Sequence, residues 1–162
     1  MGLNEENTGR LFMNDKLVLD TSVIVEYIVL RSRYRSKVAK LFNLALAGKI
    51  ELYVSVVTLS ELMYVASRIY QVAGLHDPNG EALDFIEWIK RRCKVMNVNE
   101  AIALRAGENR KRLHIALLDC YVIATAEFVK AKPLFRSVEK EMKSIVTELK
   151  GIGVRFLEEM EI

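Results

Sequence analysis

Lys16-Leu17-Val18-Leu19-Asp20-Thr21-Ser22-Val23 reads as a strand that ends on an acid and turns into a helix. Leu17-Val18-Leu19 has no polar alternation, the pattern of a strand covered on both faces in a parallel sheet. A helix is expected to follow over residues 23–30. Moving outward, the same alternation of short apolar runs and longer helical stretches repeats to the end of the chain. Strands are expected at 52–57, 94–98, 133–135 and 154–157. Helices are expected at 36–47, 58–73, 81–92, 99–111, 119–128 and 138–150, with Gly48 and Gly74 as stops after two of them. Strands alternating with helices require right-handed crossovers, so the fold class is α/β: a three-layer α/β/α sandwich around a central, mainly parallel sheet. Residues 1–15 are polar and aperiodic and are expected to form a flexible N-terminal arm ahead of a single domain over 16–162.

Composition bounds the function. The chain has 162 residues, 51% of them hydrophobic, with 8 Gly and 2 Pro. That is enough to bury a core without disulfides or metal staples, and it excludes collagenous, linker-like and disordered chains. No apolar run reaches the length of a membrane span and no signal-peptide pattern is visible, so a cytoplasmic location is expected. Cys93 and Cys120 lie among apolar neighbours without a CxxC spacing and are expected to be buried thiols. A net charge of +3 permits nucleic-acid binding without arguing for it. There is no Walker-type loop, GxGxxG or nucleophile elbow, and His76 and His114 lack a Ser, Cys or His at useful spacing. Nucleotide-cofactor and Ser-His-Asp chemistry are therefore disfavoured.

The acids are more informative. In open parallel sheets, ligands bind beyond the carboxyl ends of the strands. Asp20, Glu61, Asp119, Glu139 and Glu141 all fall at such ends or in the helix starts that follow. Each has a local explanation: a turn residue at Asp20, a capping box in Thr58-Leu-Ser-Glu61, an N-cap at Asp119, helix-dipole acids at Glu139 and Glu141. Taken together they ask for more. Asp20 directly follows Leu17-Val18-Leu19, and Asp119 stands inside Ala116-Leu-Leu-Asp-Cys-Tyr-Val-Ile123. Partly buried carboxylates are costly unless paired, and no Lys or Arg adjoins either one in sequence. Such a cluster calls for a hard divalent cation, Mg²⁺ or Mn²⁺.

Lys16-Leu-Val-Leu-Asp-Thr-Ser-Val-Ile-Val-Glu-Tyr-Ile28 resembles the opening of a PIN-domain protein. Thr58-Leu-Ser-Glu-Leu62 resembles that family's second acidic motif, and Leu117-Leu-Asp-Cys-Tyr-Val-Ile-Ala-Thr-Ala126 its third, with residues 101–108 similar to the segment before it. The resemblance implies a metal-dependent ribonuclease, most often the toxin of a toxin–antitoxin pair. It implies Asp20, Glu61 and Asp119 as metal-binding and catalytic acids, with Thr21 or Ser22 supporting the first carboxylate. The fourth motif departs from the family's Thr-x-Asp-x-Asp-Phe pattern. Here it reads Leu134-Phe-Arg-Ser-Val-Glu-Lys-Glu-Met142, which puts Glu139 first and Glu141 second as the fourth acid.

RNA would be held by two basic groups, Arg31, Arg33, Arg35 and Lys37 around the stacking ring of Tyr34, and Arg110, Lys111 and Arg112. A toxin needs a cognate antitoxin. The apolar face of the helix at 58–73 is wide enough to serve a homodimer or antitoxin contact besides the core. The reading from another class is a PIN-fold RNA- or partner-binding protein whose catalysis is weak or lost. A phosphatase or phosphoacceptor domain fits poorly, because Ser22 stands where Asp-x-Asp would need its second acid.

Overall fold

A computed structural model of the protein describes residues 9–162. Five strands, β1 Lys16–Leu19, β2 Glu51–Ser55, β3 Lys94–Met96, β4 Lys132–Phe135 and β5 Arg155–Phe156, form one sheet in the order β3-β2-β1-β4-β5. Every pairing is parallel, with Val18 opposite both Tyr53 and Pro133. Seven α-helices flank it: α1 Thr21–Ile24, α2 Arg35–Leu46, α3 Val56–Val72, α4 Pro78–Lys90, α5 Glu100–Leu113, α6 Leu117–Val129 and α7 Val146–Gly151.

The pleat sends successive side chains to opposite faces, and both faces are dry. Leu17, Leu19, Leu52, Val54 and Leu134 pack against Val38, Phe42, Leu62, Ala66, Phe85 and Ile89 from α2, α3 and α4. Val18, Tyr53, Phe135 and Phe156 pack against Ile102, Ala106, Val122, Ile123 and Leu149 from α5, α6 and α7. This is why the strands carry no polar alternation, and the three-layer α/β/α sandwich is as expected. Leu17, Val18 and Leu19 are fully buried. Each contributes roughly 1.5–3 kcal/mol by leaving water, so the first strand is the anchor of both cores. Gly48 and Gly74 end α2 and α3 with φ of 70° and 79°, the left-handed conformation a helix stop needs.

Several boundaries differ. The helix expected over 23–30 is a single α turn, α1, followed by a 3₁₀ turn at Val25–Tyr27. Arg35 Nε donates to the Tyr27 carbonyl at 2.9 Å, taking an acceptor that a continuing helix would need. The Tyr27 ring stacks on Trp88 at 4.6 Å and meets Phe42 edge-on, which fixes the chain there. Helix α3 begins at Val56, because the Ser55 hydroxyl accepts the Val57 N–H and caps it. The β-branched pair Val56-Val57 was expected in the strand, and the cap overrides that preference. The helix expected over 138–150 starts as a 3₁₀ segment, Lys140–Ile145, pinned by buried Met142, and becomes α only at Val146.

Of the expected N-terminal arm, residues 9–15 lie on the domain, and residues 1–8 lie outside the described residues. Arg10 bridges to Glu161, Asn14 N–H donates to the Lys49 carbonyl, and Asp15 pairs at 3.1 Å with Arg155, itself only 4% exposed. Cys93 and Cys120 are buried thiols, pushed up to about 12 and about 11 by burial. Among the described residues no helix is long and apolar enough to cross a membrane.

Candidate functional site

The chain leaves β1 toward β2 and β3 on one side and returns to β4 and β5 on the other. The crevice of such a sheet lies where that order reverses, beyond the carboxyl ends of β1 and β4. Asp20 sits at that point. Its N–H donates to the Leu134 carbonyl of β4 at 3.0 Å, and its Oδ2 accepts the Ser22 N–H at 2.9 Å. It is thus also the N-cap of α1, so the local explanation for this acid holds beside any other. Only 6% of it is exposed.

The local explanations for Glu61 and Asp119 do not survive. Thr58 is buried inside α3 and Ser55 is the cap, so no Thr58–Glu61 capping box forms. Glu61 Oε2 accepts instead from the Thr21 hydroxyl at 2.8 Å, a bond from α3 to α1. Helix α6 has Ala116 at its N-cap with no side-chain bond, and Asp119 lies in its first turn. Glu139 precedes the 3₁₀ segment without capping it, and Glu141 lies exposed in its first turn.

The five carboxylates share one electrostatic neighbourhood. Burial pushes Asp119 up to about 8, reinforced by repulsion from Asp20, Glu139, Glu61 and Glu141. Burial likewise raises Asp20, against the lowering pull of hydrogen bonds from Ser22 and Thr21. Glu139 is raised by burial, then by Asp20 and Glu141, with Arg136 pulling it down. Hard oxygen donors that repel one another are chemically suited to a divalent ion. Among the described residues no three His, Cys, Asp or Glu side chains are already gathered into a group that would hold one. The donor set fits in kind, and its side chains stand apart.

The basic residues divide. Arg31 is exposed. Arg33 donates to the Tyr34 hydroxyl at 2.6 Å and lies 4.8 Å over its ring, while Arg35 holds Tyr27. Lys37, expected to contact RNA, donates to the carbonyls of Leu157 and Met160 at 3.2 and 2.6 Å and ties the C-terminal segment to α2. Arg110, also expected to contact RNA, donates to the Ile115 carbonyl in the turn between α5 and α6. Lys111 faces Glu108 and Arg112 faces Glu148 across exposed pairs of 3.4 and 3.8 Å.

Two residues at the site were not singled out from sequence. Glu26 is a buried carboxylate in Val23-Ile24-Val25-Glu26-Tyr27-Ile28, and the argument applied to Asp119, an acid inside an apolar run, would have found it. It pairs with Arg136 at 3.0 Å. Arg136 carried no signal beyond following the fourth strand.

On α3 the wide apolar face splits. Leu62 and Ala66 enter the core, whereas Tyr64, Val65, Ile69 and Val72 line a shallow surface cavity with Arg68. Tyr64 and Val72 are among the most exposed large side chains.

A family model described as "PIN domain" matches residues 17–146. No curated protein matches the chain in sequence. Among solved structures, the DNA-bound VapBC complex of Salmonella typhimurium is 20% identical at a TM-score of 0.62, covering 88% of this chain and 96% of that one. The FitAcB complex of Neisseria gonorrhoeae is 23% identical at 0.58, covering 86% and 95%. The sarcin–ricin-loop-cleaving toxin VapC20 of Mycobacterium tuberculosis is 13% identical at 0.59, covering 79% and 93%. At these identities the likeness is one of fold.

Proposed function

The chain belongs to the PIN-domain family, and on that premise we propose that it is a metal-dependent endoribonuclease hydrolysing RNA phosphodiester bonds, the toxin of a toxin–antitoxin pair. The observation that carries this reading is Asp119. A carboxylate pushed up to about 8 by burial and by four neighbouring acids is a group suited to a cation.

Asp20, Asp119 and Glu61 would hold Mg²⁺ or Mn²⁺, with Glu139, or Glu141 behind it, as the fourth acid. Such an ion, when bound, polarises the scissile phosphate and makes a bound water a nucleophile near neutral pH. The chain's own part is preorganisation. The Ser22 N–H fixes Asp20 Oδ2, and the Thr21 hydroxyl fixes one Glu61 oxygen. The bond from Asp20 N–H to Leu134 locks the acid between the two central strands. Burial of Asp20 strengthens the charge interactions it makes. Arg31, Arg33 and Arg35 with Tyr34, and Lys111 with Arg112, are the surface groups left to follow the RNA backbone. Lys37 and Arg110 serve the fold.

The antitoxin partner is supported by neighbours that are themselves toxin–antitoxin complexes. The exposed face of α3 around Tyr64 and Val72 is the surface offered for that partner or for a second copy of the chain. The second reading, a PIN-fold binding protein with weak or lost catalysis, is favoured by carboxylates that stand apart and by Glu at the fourth position.

The test is incubation of structured and single-stranded RNAs with antitoxin-free protein in Mg²⁺, Mn²⁺ or EDTA. Metal-dependent products with 5′-phosphate and 3′-hydroxyl ends are expected. Folded protein that binds the same RNAs and never cuts them would establish the second reading instead.

A further inference from the structure

Arg136 leaves β4 beside the acids, and its backbone is fixed there. Its N–H donates to the Ser22 hydroxyl at 3.2 Å, and the Ser22 N–H in turn donates to Asp20. Its guanidinium reaches Glu26 Oε1 at 3.0 Å, while the other oxygen of Glu26 takes the Ser32 hydroxyl. The two partners are unequal. The Glu26 side chain is 9% exposed and that of Arg136 is 45% exposed. Among the described residues the guanidinium has no further hydrogen-bond partner. A guanidinium carries five N–H donors in a planar fork, so most of them are left for another acceptor.

Five carboxylates around one crevice repel a polyanion, and an RNA backbone cannot settle there without a cation at the same place. Arg136 is a cation acting within that cluster, since it draws the Glu139 carboxyl down against burial and the other acids. We propose that Arg136 grips an RNA backbone phosphate beside the acidic cluster, and that Glu26 holds the guanidinium in position until RNA arrives. The assignment rests on the ribonuclease reading and names the residue that binds its substrate at the crevice. The fork geometry matches two phosphate oxygens at once. Glu26 also reaches, through Ser32, the loop bearing Arg31 and Arg33, so one buried carboxylate sets both the crevice cation and the basic loop. Glu26 and a phosphate compete for the same guanidinium, and this gives the two residues opposite signs in binding.

The experiment is titration of a fluorescent single-stranded RNA oligonucleotide with metal-free protein in EDTA, across a salt series, with melting temperatures recorded alongside. Arg136→Gln is expected to weaken binding about tenfold and to flatten the salt dependence by about one phosphate contact. Glu26→Gln, which keeps an acceptor for Ser32 and releases the guanidinium, is expected to tighten binding severalfold. Arg136→Lys should fall between wild type and Arg136→Gln. If Arg136 only neutralises Glu26, Arg136→Gln lowers the melting temperature with binding and salt slope unchanged, and Glu26→Gln fails to tighten; either result overturns the proposal. Should Arg136→Gln not fold, the sign of the Glu26→Gln effect decides alone. A wild type that binds no RNA in EDTA, or one that binds while Arg136→Gln binds equally well, overturns this assignment alone; the ribonuclease reading falls only if antitoxin-free protein fails to cut RNA with Mg²⁺ or Mn²⁺ present.

Discussion

Thr21 and Glu61, 40 residues apart in sequence, are joined by a 2.8 Å hydrogen bond from the Thr21 hydroxyl to Glu61 Oε2. Thr21 begins the turn after the first strand and Glu61 lies in the helix after the second. The bond therefore fixes the position of one candidate metal ligand relative to another, Asp20, the residue next to Thr21. Thr21→Val keeps the shape and removes the donor. It is expected to lower kcat by roughly tenfold while costing about 1 kcal/mol of stability, and Thr21→Ser should recover most of both. Steady-state kinetics with thermal melts check this; a loss of stability with kcat untouched would make the bond purely structural.

The raised carboxyls of Asp20, Asp119 and Glu139 set a pH dependence for the metal-free protein. Their folded values lie above their unfolded ones, so from the ordinary carboxyl range upward, to about pH 8 in the case of Asp119, the folded state binds more protons than the unfolded state. Stability then falls as pH rises through that window, and the part due to Asp119 is fully present above about pH 8. In EDTA the melting temperature should be higher at pH 5 than at pH 8. Asp119→Asn should raise it at pH 8 by roughly 3–8 °C. A flat profile would mean that the acids are too well solvated to interact.

Lys37 belongs to the fold. Its ammonium donates to two carbonyls at the C-terminal segment, those of Leu157 and Met160. Lys37→Met is expected to cost roughly 1.5–3 kcal/mol, because both carbonyls lose a charged donor. The salt dependence of RNA binding should stay as in wild type. A normal melting temperature with weaker RNA binding would return Lys37 to the RNA surface.

The parts of this protein that were legible in the sequence are those that depend on local chemistry. Leu17-Val18-Leu19 announces a strand buried on both faces because both faces demand apolar residues. Asp119 inside an apolar helix announces a carboxylate held partly out of water. The Ser55 cap was missed because Val56 and Val57 favour a strand on their own, and only the turn after β2 makes Ser55 the helix start. Lys37 and Arg110 look in sequence like any exposed cation, since the carbonyls they hold belong to segments 120 residues away or folded back through a turn. Arg136 and Glu26, 110 residues apart, form a pair that no local pattern encodes.

The central claim is that the acids at the reversal point of the sheet form a nuclease site around Asp20. It is tested most directly by metal-dependent RNA cleavage, comparing wild type with Asp20→Asn. Wild type should cut in Mg²⁺ or Mn²⁺ and not in EDTA. Asp20→Asn should lose cleavage by at least about a hundredfold while its melting temperature stays equal or rises, because a buried, raised carboxyl has been replaced by a neutral isostere. An Asp20→Asn protein that still cuts RNA in a metal-dependent way would contradict the account.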